Sequence, residues 1–352
     1  MSAQEMNDGF STGCGCEIGR RGFLGTALGC GIGCGAYLAM ALAAAPAMTR
    51  EAFAQRPKGQ TLLTTPFARV EQVGDGVWAV VSVTTGGDYT TVSNGGIVAG
   101  RDAVLCIEGF NTRAGGIWMN SLTKELTGRW PKYVVLTHMH GDHANGLEGY
   151  LRPECSPRII STVMTRELLA KNAATVSGEP DELGLLNSRA RMVLPDSLLG
   201  NRTETMTIDL GGRSVTLHQR SGHTPSDLTV HVDSPRVVFC GDLVFNGMFP
   251  YYADARPSRW KASLEELLVE DDAVYVPGHG SLASRKELKP YMDLMEHTAE
   301  AARRAVEQGI SASEAAARYQ VPASMGEWSQ FRPDVYRVAF EAWERELRGG
   351  GN

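Results

Sequence analysis

The chain has no surplus of positive charge. Its 34 lysines and arginines stand against 40 aspartates and glutamates, for a formal charge of −6 over 352 residues. Without a basic field to gather phosphate backbones, nucleic acid is not an expected partner. Aromatic residues are sparse at 7%, yet 43% of the chain is hydrophobic and 21% charged. That balance supplies a sizeable core and excludes a collagen-like, coiled-coil or disordered protein. There is no internal repeat at solenoid period, and no low-complexity tract beyond the first fifty residues. The length fits two domains at most, or one large α/β domain with an appendage.

Cysteine is also scarce where it would matter. Of seven cysteines, Cys14, Cys16, Cys30 and Cys34 fall in the first 54 residues, which leaves Cys106, Cys155 and Cys240. Three widely spaced cysteines make no disulfide framework, and one bridge is the most they could form. Residues 1–54 read as a leader. Arg20-Arg21-Gly22-Phe23-Leu24 precedes an uncharged, Gly- and Ala-rich stretch that ends near Ala52-Phe53-Ala54, a triplet suited to cleavage before Gln55. The segment resembles a twin-arginine export signal, which implies a periplasmic protein with no stable membrane anchor after cleavage. The competing reading is a retained membrane anchor, since the uncharged run is long enough to span a bilayer.

Beyond the leader, β-branched runs punctuated by glycine predict an antiparallel meander over 67–73, 77–83, 90–98 and 103–107. A helix is expected near 114–126, and the apolar run 133–137 reads as a strand buried on both faces. A helix over 164–175 precedes a loop region reaching about Arg202. Strands follow at 205–209, 214–218, 228–232 and 236–240, then a helix at 259–268, a strand at 273–276 and a long helix near 285–308. Strands followed by helix, twice over, predict an α+β protein with two sheets sandwiched between helices. The tail 311–348 reads as helical, capped at Ser311 or Ser313 and packed over the core. The expected division is leader 1–54, catalytic domain 55–285 and C-terminal helical segment 286–352.

The chemistry is concentrated in Thr137-His138-Met139-His140-Gly141-Asp142-His143, directly after the buried strand. Ligand sites in open α/β sheets lie at such strand ends. Three histidines and an aspartate within six residues cannot share one face of a strand or helix, but in a tight loop they can converge. His223, Asp242 and His279 each follow an apolar run and are flanked by glycine, which lets backbone crowd a metal. Imidazole and carboxylate without thiolate suit Zn²⁺, with Fe or Mn also compatible. Two such ions about 3.5–4 Å apart can share a hydroxide that attacks a carbonyl. His218 and His231 within strands and His297 within the long helix are expected to be structural. Cys240, on a buried strand, is expected in the core.

These motifs resemble the metallo-β-lactamase superfamily over roughly residues 65–285. The resemblance implies an αββα sandwich with a metal site at one sheet edge. It assigns His138, His140 and His223 to one zinc, Asp142, His143 and His279 to a second, and Asp242 as the bridge. Asp142 would also orient the nucleophile. An aspartate at position 242 is similar to the thioesterase (glyoxalase II-like) and lactonase branches, and to exported members associated with sulfur-oxidation and quinoprotein systems. The expected activity is hydrolysis of a small thioester, ester or lactone, with a periplasmic β-lactamase or a non-catalytic metal-binding relay as alternatives. Phe249-Pro250-Tyr251-Tyr252 should line the pocket, with Tyr252 donating to the oxyanion, and the hairpin tip Gly86-Gly87-Asp88-Tyr89 should overhang it. No run of Arg or Lys beside the motifs marks an anionic subsite.

Overall fold

A computed structural model describes residues 59–83, 87–175, 192–200 and 205–349. The leader read over 1–54 and the tip residue Gly86 lie outside these residues. Five strands come first: β1 (Gln60–Thr64), β2 (Ala68–Gly74), β3 (Val77–Ser82), β4 (Gly95–Ala99) and β5 (Val104–Ile107). Each pairs antiparallel with its predecessor. After α1 (Arg113–Thr127), β6 (Tyr133–Val135) joins β5 in parallel. A short α2 (Gly141–Ala144) follows, then β7 (Arg158–Thr162), α3 (Val163–Thr175) and β8 (Ser197–Leu199), with β7 and β8 completing an eight-stranded sheet. The second sheet holds β9 (Thr205–Asp209), β10 (Ser214–Arg220), β11 (Asp227–Val232) and β12 (Val237–Asn246). After α4 (Pro257–Leu267), β13 (Val274–Gly280) pairs parallel to β12. The helices α5 (Arg285–Glu307), α6 (Ala312–Arg318) and α7 (Val335–Arg348) finish the described chain.

Local chemistry accounts for the element ends. Thr112 caps α1 by accepting from Gly115 N, and Gly128 stops it in the left-handed conformation. Ser284 and Glu287 close a capping box on α5, Pro257 opens α4, and Ser311 caps α6. On β10, Val215 and Leu217 point inward while Thr216 and His218 are half-buried on the other face, the period of a sheet covered unequally.

Three apolar clusters fill the layers. Val77, Leu105, Val135, Val230 and Phe239 meet between the two sheets. Met119 and Leu122 of α1 and Leu169 of α3 cover the first sheet. Trp260, Leu294 and Trp343 of α4, α5 and α7 cover the second. The arrangement is the αββα sandwich, extended by C-terminal helices. Among the described residues no helix is long and apolar enough to cross a membrane. Cys106, Cys155 and Cys240 are buried and free, so the one bridge open to them is not made.

Several local expectations are corrected. β1 and β7 were not anticipated from the pattern, nor was β8, which falls in the region expected to be loop up to about Arg202. The strand expected over 90–98 begins only at Gly95, because Val92 sits at φ 65° and turns the chain. The tail is not one helical stretch: residues 319–334 between α6 and α7 are irregular apart from a single 3-10 turn at Ala323–Met325.

Phe239 is buried between the sheets, its ring packed over Gly96. Phe239→Ala is expected to lower unfolding free energy by about 3–5 kcal/mol in a urea titration, since the two sheets cannot close the cavity. A loss below about 1 kcal/mol would mean that the inter-sheet layer is not the principal core.

Candidate metal centre

β6 ends at Val135, and the next eight residues deliver four of the predicted ligands. His138 and His140 stand on the extended segment, while Gly141 starts the single turn α2 that swings Asp142 and His143 back toward them. The loop between β10 and β11 brings His223, β12 brings Asp242 and β13 brings His279. The seven residues predicted from sequence thus meet at one place. They form two groups, His138, His140, His223 and Asp242 in one and Asp142, His143 and His279 in the other; within each, one donor atom per residue lies within 4.8 Å of all the rest.

Asp242 stands between the groups. Its Oδ2 lies 3.2 Å from His223 Nε2 and 3.7 Å from His138 Nε2. Its Oδ1 lies 3.1 Å from His143 Nε2 and 3.4 Å from His279 Nε2. Asp142 Oδ2 reaches His279 Nε2 at 3.2 Å and His143 Nε2 at 3.6 Å. The carboxylate of Asp242 fits there because Gly278 has no side chain: a Cβ at that position would sit 1.9 Å from Asp242 Oδ1. Gly241, at φ 53°, makes the turn that aims Asp242 inward.

Outer partners set which nitrogen each imidazole presents. Thr137 Oγ1 donates to Glu108 Oε1 at 2.5 Å, which spends its one proton, so it accepts from His138 Nδ1 at 3.0 Å. His138 therefore turns a bare Nε2 toward the cluster. His143 Nδ1 faces Glu108 Oε1 at 3.1 Å, leaving Nε2 inward. His140 is turned the other way, with Nε2 2.9 Å from Asp254 Oδ2 and Nδ1 2.8 Å from His223 Nε2. Outer partners placed in this manner fix the orientation and tautomer of the imidazoles. Sequence reading missed Thr137, Glu108 and Asp254. Thr137 adjoins the motif, but Glu108 and Asp254 come from distant segments with no motif of their own.

The backbone around these partners is strained. Val92, Glu108 and Phe110 all adopt positive φ without being glycine. Their neighbours hold the ligand loop: Ser93 Oγ donates to Asp142 O, and Gly109 N donates to His143 O. Asn94 binds the β13 end through the Pro277 and Gly280 carbonyls.

Charge follows position. Burial, helped by the neighbouring imidazoles, holds His138 well below the ordinary histidine pKa and His223 down at about 3. Burial works against charge on His143 and His279 too, but Asp242 outweighs it, aided by Asp142 and, for His143, Glu108. His143 is raised well above the ordinary value and His279 to about 9. Burial likewise opposes ionisation of both aspartates, yet their imidazole neighbours pull Asp142 down to about 2 and Asp242 well below the carboxylate range. The two carboxylates thus gather positive charge at one point. His143 Nε2 and Asp242 Oδ1 are buried with no hydrogen bond, a need that a cation meets. Nitrogen and carboxylate donors in two sets joined by one carboxylate fit a pair of divalent ions.

A model of the Metallo-beta-lactamase superfamily matches residues 109–279. The matched stretch is just under half of the chain and contains all seven candidate ligands. Over 180 residues the chain is 26% identical to the acyl-coenzyme A thioesterase MBLAC2 of Homo sapiens, covering 47% of this chain and 61% of that protein's length. It is 23% identical over 247 residues to the 2,4-dinitroanisole O-demethylase subunit alpha of a Nocardioides species, covering 70% of this chain and 67% of that protein. Among solved structures, a metallo-β-lactamase from Pontibacter korlensis superposes with a TM-score of 0.52 at 20% identity, across 65% of this chain and 99% of that one. The fold is therefore the metallo-β-lactamase fold.

One predicted site residue is corrected. Tyr252 is wholly buried among Phe249 and Trp260, and its hydroxyl has no exposed surface and no hydrogen-bond partner. A phenol sealed in the outer helical layer cannot reach an oxyanion, and burial raises its pKa further. Its neighbour Tyr251 is half-buried. From the irregular tail, Phe331 instead approaches the centre, its ring centroid 5.9 Å from that of His279. At the expected hairpin tip, Tyr89 is exposed and tied through its carbonyl to Asn111. His218 and His231 meet edge-on with ring centroids 4.5 Å apart on the second sheet, and His297 binds the Tyr319 hydroxyl at 3.0 Å.

Because a Cβ at Gly278 overlaps the Asp242 carboxylate, Gly278→Ala is expected to lower the zinc taken up from a zinc-supplemented solution, relative to the native chain, while the protein stays folded. Zinc content by atomic emission, with circular dichroism on the same sample, checks this. An unaltered zinc content would show that Asp242 does not bridge.

Proposed function

We propose that this chain is a binuclear zinc hydrolase acting on the acyl carbonyl of a thioester, ester or lactone. The observation that carries the reading is Asp242, whose two oxygens face two separate groups of histidine donors. Bound there, a pair of divalent ions supplies Lewis acidity and a water acidic enough to be ionised near neutral pH. His138, His140 and His223 would hold one ion, Asp142, His143 and His279 the other, and Asp242 both.

The chain's own groups do the rest. His140 and Asp142, 20% and 17% exposed, are the ligands that substrate meets first, the others being nearly sealed. Asp142, kept ionised by His143 and His279, accepts a hydrogen bond from the attacking nucleophile and orients it. Thr137, Glu108 and Asp254 keep the imidazoles aimed as the reacting centre changes charge. Carboxylate at position 242, with the Cys240 thiol turned to a backbone carbonyl in the core, favours an acyl substrate over a β-lactam. The likeness to a human acyl-coenzyme A thioesterase supports the same direction. A glyoxalase II-like role in an exported sulfur-oxidation or quinoprotein system would suit a periplasmic location. A β-lactamase and a non-catalytic relay are the competing readings.

Purified protein is expected to contain two zinc per chain and to hydrolyse a thioester, a lactone or an aryl ester, with Asp142→Ala losing at least about a hundredfold in kcat while remaining folded. Turnover of a cephalosporin alone would transfer the assignment to a β-lactamase. Two metals with no turnover on any of the four substrates would favour the relay. For export, Arg20→Lys with Arg21→Lys is expected to retain the protein in the cytoplasm, as read by cell fractionation. Mature protein still reaching the periplasm would rule out the twin-arginine route.

A further inference from the structure

A second feature lies beside the ligand loop and plays no part in holding metal. Between α3 and the start of α4 there is a pocket of about 450 Å³ into which Lys171, Arg256 and Arg259 project. Its volume lies in the range of small-molecule sites. Among the described residues none of the three cations makes an ion pair, and Glu167 is the single carboxylate facing them. Met164, Leu168 and Pro225 give the pocket an apolar floor. The sequence showed no basic run near the motifs because these cations come from two helices 85 positions apart in their numbering, and only packing unites them.

The location ties the pocket to the metal centre. Ser221 and Pro225, both in its wall, stand two residues either side of His223. Arg256 stands two residues after Asp254, the partner of His140, and its backbone N donates to Gly222 O. His140 and Asp142 form the open side of the centre, and Asp254 beside His140 is 47% exposed. The α4 N-terminus itself is not free for an anion, since Glu346 already accepts from Ser258 N. Recognition therefore falls to the side chains, and two guanidiniums with an ammonium above apolar floor suit a phosphate on an organic tail.

We propose that this pocket binds a phosphate carried by the substrate on its portion remote from the reacting bond. The proposal rests on the acyl-hydrolase reading above and narrows it to acyl compounds with a phosphorylated leaving group. An uncharged ester or a plain lactone would offer these three cations no anionic group.

The test uses the full chain loaded with zinc. Calorimetric titration with adenosine 3′,5′-bisphosphate, coenzyme A and inorganic phosphate is compared between the native protein and Arg256→Ala/Arg259→Ala. We expect saturable binding of the two organic phosphates, weakened about tenfold or more by the double substitution and by raised salt. Absence of saturable binding, equal affinity in the double variant, or binding of inorganic phosphate alone would overturn the proposal. If the double variant does not fold by circular dichroism, Lys171→Ala, at an exposed position of α3, replaces it, with the same direction expected. A kinetic arm compares acetyl-coenzyme A with S-acetyl-N-acetylcysteamine, which share the reacting bond. The native preference for the former, as a ratio of kcat/KM, is expected to fall about tenfold in the variant. If neither thioester is cleaved, the acyl reading fails while the titration still decides the pocket.

Discussion

The structure depends on one carboxylate placed where burial alone would forbid it. Asp242 is nearly sealed from solvent, and an isolated buried charge is costly. It is tolerated because four imidazoles converge on its two oxygens and because Gly278 leaves the space it occupies. Both sheets take part in that convergence. His138, His140, Asp142 and His143 follow β6 of the first sheet, whereas His223, Asp242 and His279 come from the second. The sandwich must close for the centre to exist.

Closing it requires backbone that would not otherwise be chosen. Val92, Glu108 and Phe110 take left-handed conformations in two segments that clasp the ligand loop. Ser93 and Asn94 tie that loop and the end of β13 to the first sheet, and Glu108 orders Thr137 while facing His143. The inter-sheet core and the helices outside it hold these residues in place, so local strain is offset by packing elsewhere. The centre is consequently rigid on its inner side and open only toward His140, Asp142 and Asp254.

The outer helices do more than cover the second sheet. The irregular stretch between α6 and α7 pairs Ser329 with the chain at Met248 and Phe249 and brings Phe331 to His279. The start of α4 places Arg256 and Arg259 beside the loop that carries His223. The same layer that seals Tyr252 away therefore shapes the approach to the metal centre. The periphery lines the approach, while the candidate ligands come from the strands and the loops that follow them.

The sequence by itself picked out the seven candidate ligands and the order of layers. His138, His140, Asp142 and His143 lie within six positions, and His223, Asp242 and His279 each follow an apolar run, so short-range pattern already marked them, although Asp242 lies within β12 rather than at the strand end expected after residue 240. Burial patterns likewise made β6, β10 and β12 legible, because a strand's surroundings are written in its period. Tertiary structure alone decided the rest. Glu108 and Asp254 orient histidines across long sequence separations, Tyr252 turned inward while Phe331 turned to the site, and Lys171 met Arg256 and Arg259 only when two helices packed together. Their physical role arises from contacts between distant segments, and such contacts leave no mark in the local order of residues.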